Sequence, residues 1–364
     1  MQFSMFHIAM GAGRRSDRQV YEDLMADVRL AEELGFDVFF LAEHHFKSDF
    51  CMSPSPNVLL GAAAAVTTRL KIGTAVSVLP LHHPTRLAEE VAELDLLSGG
   101  RFQWGIGRGF DSPESWGFGV KGEETTARFR EVHDAVLKAW TTGDKEYHGT
   151  FYDLPPGPIA PAITQRPHPP IWVSAQSPSS VRWSAEHGYP AMQVLETVPR
   201  GKRQLELYKE AAGAAERTPA QRGAIVPLRY VFIGETEADV RQVGASTLMS
   251  WLHGFLGVAA PPEARPERSP ESAESYRYYT DPETSFRAQL SSMTFEELVD
   301  NGVILVGTPD QVIEQIERQV DELELSHMLC DFWRAGPDSE QRQRSIRLFG
   351  EAVMPAFARD ASPV

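Results

Sequence analysis

The sequence predicts a (β/α)8 TIM barrel with insertions. Eight short apolar, strand-like runs recur along the 364 residues, helical patterns lie between them, and polar or glycine-rich residues sit where the runs end. Continuous apolar runs mark strands covered on both faces, and eight strand–helix repeats joined by right-handed crossovers close most naturally into a barrel.

The first run is Gln2 to Ile8. Tyr21 to Leu34 follows, where Leu24, Val28, Ala31 and Leu34 recur at helical spacing. Asp37 to Leu41, preceded by Gly35, is the second strand, and Leu70 to Val78 is the third. Arg86 to Leu97 carries Leu87, Val91, Leu94 and Leu97 on one helical face. The remaining strands are Arg101 to Ile106, Ile171 to Ala175, Ala191 to Leu195, Ile225 to Phe232 and His327 to Phe332. Before the last of them, Thr308 is placed to cap a helix that Pro309 begins.

Two segments break the rhythm. Leu154 to Pro170 holds seven prolines and no helical period, which predicts an ordered surface crossing. Gly257 to Glu283 is rich in Pro, Glu, Ala and Ser and contains Tyr276-Arg277-Tyr278-Tyr279. Residues 257–290 therefore read as an insertion, either a disordered loop or an active-site lid. No linker divides the chain, so residues 1–364 are expected to form one barrel domain.

Composition narrows the function. A net charge of −15 with no basic run argues against nucleic acid as a partner. Only Cys51 and Cys330 are present, too few for a disulfide framework or a zinc site. Neither a signal peptide nor a membrane-length apolar stretch is evident, and the expected compartment is the cytoplasm.

Barrels bind ligands at the carboxyl ends of their strands, so residues there carry the functional argument. The second strand ends in Glu43-His44-His45. Successive side chains leave a strand on opposite faces, so only one of the two histidines is expected to face the pocket. The fourth strand ends in Gly105-Ile106-Gly107-Arg108-Gly109, where glycines admit a ligand close to the backbone and arginine suits a phosphate. The dinucleotide fingerprint is not matched, because Ser112 stands where its third glycine belongs. Ser174 to Ser180 places hydroxyls at a helix start, which suits either an anion or ordinary capping by Ser177 or Ser179. His82-His83, between prolines, reads as structural or solvated, and Trp104, Trp172 and Trp333 read first as barrel packing. Asp331 and Arg334 flank the eighth strand's end, and the Phe110 to Trp116 loop follows Arg108 as a candidate for ligand contact.

These residues resemble a family. Glu43-His44-His45-Phe46, Gly73-Thr74-Ala75-Val76, Leu79-Pro80 with His83-Pro84 and Arg86, Gly105 to Gly109, Gln204 to Tyr208, Val306 to Pro309 and Val353-Met354-Pro355 all look like bacterial luciferase. The match runs in order over nearly the whole chain, and it is strongest to the luciferase α subunit and its flavin-dependent monooxygenase relatives. It implies a barrel that binds reduced FMN, forms a flavin C4a-hydroperoxide with O2 and oxygenates a small organic substrate. Under it, His44 matches the catalytic acid/base, Arg108 the phosphate arginine, and Gln176, Ser177 and Ser180 the other phosphate-side positions. Ala75-Val76 falls on a non-prolyl cis peptide under the flavin ring. Gly107 stands where the family has a cysteine beside the ring, which should open space there, and Gln176 stands where it has a glutamate. The luciferase lid with its lysine-rich stretch is not recognisable between Tyr279 and Ile304, so neither light emission nor a long-chain aldehyde is implied.

The resemblance also implies a homodimer packed through barrel helices. Since the chain lacks a nicotinamide fingerprint, a separate NAD(P)H:flavin reductase would supply its FMN. The nearest alternative on the same barrel is a deazaflavin-dependent hydride-transfer oxidoreductase. A metal-dependent hydrolase built on Glu43, His44 and His45 ranks low, because adjacent histidines diverge. A non-catalytic subunit is disfavoured by the presence of both His44 and Arg108.

Overall fold

Eight parallel strands close into a ring. They are β1 (Gln2–His7), β2 (Val38–Leu41), β3 (Lys71–Thr74), β5 (Phe102–Gly107), β8 (Ile171–Ser174), β9 (Ala191–Val194), β10 (Ile225–Ile233) and β12 (His327–Phe332), and β12 pairs back onto β1. The computed structural model describes residues 1–11, 16–47, 50–109, 112–215, 224–241, 249, 286–333 and 339–358. The eight ring strands are the eight predicted runs, and the (β/α)8 barrel is the fold.

Helices cover the ring as the apolar periodicities require. α1 (Asp17–Leu34) opens on a Ser16–Gln19 capping box and buries Val20, Leu24, Val28 and Ala31. α2 (Pro56–Val66) and α3 (Pro84–Leu97) follow, with Leu87, Val91 and Leu94 of α3 turned inward. Then come α4 (Ser112–Gly117), α5 (Thr125–Thr142), α6 (Pro178–His187) and α7 (Val198–Ala214). Beyond β10 lie α8 (Phe286–Ser291), α9 (Phe295–Asp300), α10 (Pro309–Glu322) and α11 (Ser339–Leu348). Thr308 and Gln311 form the capping box of α10, with Pro309 in its first turn, as predicted. Asp27 of α1 sits fully buried between His7 of β1 and Arg342 of α11, tying three elements together. His7 Nδ1 accepts the Ala9 N–H at 2.8 Å, so Nε2 carries the proton that faces Asp27.

The structure departs from the expected layout in two places. The third run breaks after Thr74, and Ser77–Val78 resumes as a short β4 on β5. An additional strand, β11 (Ile304–Gly307), pairs with Tyr230–Ile233 of β10, while Ile225–Leu228 pairs with β9. At nine residues β10 is long enough to take both partners. A hairpin of β6 (Tyr147–His148) and β7 (Asp153–Leu154) leads into the proline-rich crossing. That crossing is ordered: it buries Ile159 and Ile163, and the Asp95 carboxylate accepts the Thr164 and Gln165 N–H groups at 2.6 and 2.9 Å. Of the expected insertion, residues 257–285, including the tyrosine cluster, lie outside the described residues, as does Arg334.

The lower barrel is filled. Phe40 meets Trp172 edge-on, the Trp172 indole N–H donates to Gln103 Oε1 at 3.1 Å, and Ser4 Oγ lies 2.6 Å from His327 Nε2. Burial depresses the His327 imidazole to about 4, so it stays neutral. β3 and β5 approach closely here, since a Cβ on Gly105 would lie 1.8 Å from the Thr74 carbonyl oxygen. The cavity that the functional argument concerns sits at the other end of the ring, at the carboxyl ends of the strands. Cys51 and Cys330 are both buried free thiols.

Candidate active site

One cavity opens at those carboxyl ends. Its wall includes the catalytic and cofactor positions that the resemblance implies: His44, Ala75, Val76, Gly107, Arg108, Gln176, Ser177 and Ser180. Phe6, Ile8, Phe50, Val78, Met192, Leu195, Leu228 and Leu329 make the rest largely apolar, so polar groups gather at two ends.

At one end stands a histidine–carboxylate pair. β2 releases Glu43, His44 and His45, and their side chains diverge as strand geometry requires. His44 lines the cavity, and its Nδ1 lies 2.9 Å from Glu114 Oε1 of α4. The same oxygen accepts the His45 backbone N–H at 3.0 Å. The Glu114 side chain is 3% exposed and that of His44 14%, so little water weakens the contact. A nitrogen hydrogen-bonded to a carboxylate carries the proton, which leaves Nε2 as the basic atom.

Glu43 also borders the cavity, but its carboxylate is taken up by protein donors and acts as an anchor. One of its oxygens meets His45 Nε2 at 3.1 Å, the other accepts the Val78 N–H at 2.9 Å, and His82 Nε2 lies 2.9 Å from both. Burial alone would raise this carboxyl, but the His82 charge and the hydrogen bonds from His45, His82 and Val78 outweigh it and hold it at about 2. Reciprocally, burial works to lower the His82 imidazole, while the Glu43 charge and hydrogen bond raise it on balance. The structural reading of His82 holds: it clamps the end of β2 to the segment after β3.

The other end is cationic and hydroxylic. Arg108 leaves β5 and its Nη1 donates to Thr126 Oγ1 at 3.5 Å. A smaller adjoining hollow is lined by Arg108, Arg130, Thr126, Ser174, Ser179 and Ser180. Ser177 and Ser180 form the capping box of α6, with the Ser177 N–H donating to Ser180 Oγ at 3.0 Å. Capping and an anion-facing helix start thus coincide here. Gln176 Nε2 donates to the Val194 carbonyl at 2.6 Å and locks the end of β8 to β9.

Between the two ends, the Ala75–Val76 peptide is cis. Gly107 does not leave open space, because a Cβ there would come 2.4 Å from Val76 Cγ2. The room expected from the missing side chain is occupied by the valine. Trp104 packs on Trp140 and Trp333 near Tyr230, and none of the three nominated tryptophans lines the cavity. Asp331 is buried on β12.

Glu114, Gln193 and Tyr230 also line the cavity, and sequence reasoning missed all three. Glu114 falls inside the flagged Phe110 to Trp116 loop, but no periodicity singles out one carboxylate there. Phe110 and Asp111 lie outside the described residues. Among the described residues no cluster of three or more His, Cys, Asp or Glu side chains is suited to a metal, and no helix is long and apolar enough to cross a membrane.

A histidine–carboxylate pair and a cationic, hydroxylic end meet on a largely apolar cavity at the carboxyl face of the barrel, and the relatives make the chain an oxidoreductase. The chain belongs to the luciferase-like monooxygenase family, whose model matches residues 1–326. It is 27% identical over 370 residues to the oxygenase component of a flavin-dependent trigonelline monooxygenase from Acinetobacter baylyi, covering 98% of this chain and 96% of that one. An alkanal monooxygenase alpha chain from Photorhabdus luminescens is 27% identical over 360 residues, with the same coverage. Among solved structures, the monooxygenase RslO1 from Streptomyces bottropensis superposes with a TM-score of 0.79 at 28% identity, covering 98% of this chain and 100% of that one. The fold is shared with the oxygenating constituent of 3,6-diketocamphane monooxygenase from Pseudomonas putida, in complex with FMN (TM-score 0.77, 23% identity, 98% of each chain). It is also shared with a coenzyme F420-dependent tetrahydromethanopterin reductase from Methanopyrus kandleri (TM-score 0.71, 18% identity, 98% of this chain and 99% of that one).

Proposed function

We propose that this chain is the oxygenase component of a two-component, FMNH2-dependent monooxygenase acting on a small, largely apolar organic substrate. The observation that carries the reading is the convergence of eight nominated residues on one cavity whose ends differ in chemistry. The residues present fit the cofactor. Arg108, Ser177 and Ser180 suit its phosphate, with Gln176 beside them, and Ala75, Val76 and Gly107 suit its ring. When bound, reduced FMN supplies the two electrons that activate O2, one oxygen atom entering the substrate and the other leaving as water.

The chain's own residues contribute binding, orientation and proton control. His44, oriented by Glu114, holds and exchanges a proton at Nε2. The apolar walls limit water around the reacting atoms. A separate NAD(P)H:flavin reductase delivers FMNH2, a reading supported by the trigonelline relative's being named as an oxygenase component.

The protein acts as a homodimer in the cytoplasm, folded as one barrel domain. α2 contains no charged residue and exposes Val58 and Val66, while α3 exposes Leu96 and Leu97, which together supply an apolar face for a second copy. Replacing Arg108 with alanine tests the cofactor assignment. Losing a charge-assisted contact worth about 1.5–3 kcal/mol should raise the FMN dissociation constant about 10- to 100-fold, and unchanged binding would remove Arg108 from the site. The deazaflavin alternative is separated by anaerobic turnover, which this reading excludes.

A further inference from the structure

We propose that Val76 and Gly107 form a size-complementary pair that sets the clearance of one cavity wall, so that residue 76 limits the bulk of the ligand group lying against it. The ligand half of this proposal rests on the flavin reading above. A Cβ on Gly107 would lie 2.4 Å from Val76 Cγ2 and 3.6 Å from Ser174 Cβ. Carbon atoms pack best at about 3.5–4.0 Å, so the first distance is overlap. The arrangement repeats one step along, where a Cβ on Gly109 would lie 2.8 Å from Val78 Cγ1. Both valines and both glycines line the cavity.

The two glycines differ in why they are glycine. Gly109 has a left-handed φ of 79°, which disfavours any side chain there. Gly107 is not among the glycines with positive φ, so its backbone would accept a side chain and the valine is what excludes one.

Backbone movement offers little relief. Ala75 N–H donates to the Leu41 carbonyl at 2.9 Å, and Val78 N–H donates to Glu43 at 2.9 Å. Ser77 and Val78 pair with Ile106 and Gly107, and Thr74 Oγ1 donates to the Gly105 carbonyl at 2.7 Å. With both segments held, bulk at 107 must be traded against bulk at 76. Trimming Val76 to alanine removes two carbons from the wall between the strand that ends at His44 and the strand that ends at Arg108.

The test is a double-mutant cycle on the full chain: Gly107→Ala, Val76→Ala and the combination, each read by thermal unfolding and by anaerobic binding of reduced FMN. Overpacking should lower the Gly107→Ala melting temperature by several degrees and weaken FMN about tenfold or more. In the double variant both should return close to wild type. A double variant as impaired as Gly107→Ala overturns the pairing.

The size limit is read by comparing FMN with its analogue carrying a dimethylamino group in place of the 8-methyl. Val76→Ala should shift preference towards the bulkier analogue about fivefold or more. An unchanged ratio overturns the specificity role. If neither flavin binds wild type or any variant, the flavin reading and the ligand half of the proposal both fail, while the unfolding cycle still decides the pairing.

Discussion

Replacing Glu43 with glutamine should destabilise the fold in a pH-dependent way. The carboxylate offers two oxygens to His45, His82 and the Val78 N–H, all of them donors. An amide of the same shape offers one oxygen and turns an N–H towards a donor. A buried ion pair can sometimes be replaced at little cost by apolar residues, but here the donors stay and lose their acceptor. The drop of the Glu43 carboxyl from 4.5 to about 2 corresponds to roughly 3 kcal/mol at about 1.4 kcal/mol per tenfold change in affinity for the proton.

The sign follows from both partners. Because the folded value of Glu43 is depressed, its contribution is present above 4.5 and is lost as pH falls towards 2. Because the His82 value is raised, its contribution is present below 6.5 and is lost as pH rises through the raised value. The pair therefore stabilises most between about 4.5 and 6.5. Thermal unfolding followed by circular dichroism at pH 3, 5.5 and 8.5 should show the gap between wild type and Glu43→Gln widest at pH 5.5, at about 5 °C. A glutamine variant as stable as wild type at pH 5.5, or a gap that grows towards pH 3, would refute the anchoring role.

Two further outcomes follow from the geometry. Glu114→Gln should slow flavin-dependent turnover about 10- to 100-fold, and combining it with His44→Ala should add little, because the carboxylate acts through that imidazole; fully multiplicative losses would separate the two residues. Light scattering should give the wild-type chain the mass of the proposed homodimer and Leu97→Glu, on the exposed face of α3, that of a monomer with an intact circular dichroism spectrum; a monomeric wild type would overturn the dimer, and an unchanged dimer mass in the variant would move the interface elsewhere.

Much of the barrel was legible because buried parallel strands are written as short apolar runs. The pattern also located the ring's carboxyl ends, so Glu43-His44-His45 and Gly105 to Gly109 pointed to the mouth before any geometry was known. β11 does not stand out because Ile304 to Gly307 runs directly into the strong helix start at Thr308 and Pro309 and has no separate boundary of its own. Glu114 was missed for a different reason: it lies 70 residues from His44, and only folding brings the two together. Gly107 shows the limit most clearly. A missing side chain reads as space in one dimension, yet the space is filled by Val76, 31 residues earlier and held across the β4–β5 pairing. Polar partners and steric complements across a barrel leave no local period, whereas strands, caps and prolines do.

The most direct test of the oxygenase reading is stopped-flow mixing of the chain, loaded anaerobically with reduced FMN, against oxygenated buffer. The account predicts that bound flavin reoxidises in two phases, the slow one outlasting free-flavin oxidation and changing in rate in His44→Ala. Reoxidation at the free-flavin rate while FMN is demonstrably bound, or substrate turnover with a deazaflavin in the absence of oxygen, would contradict it.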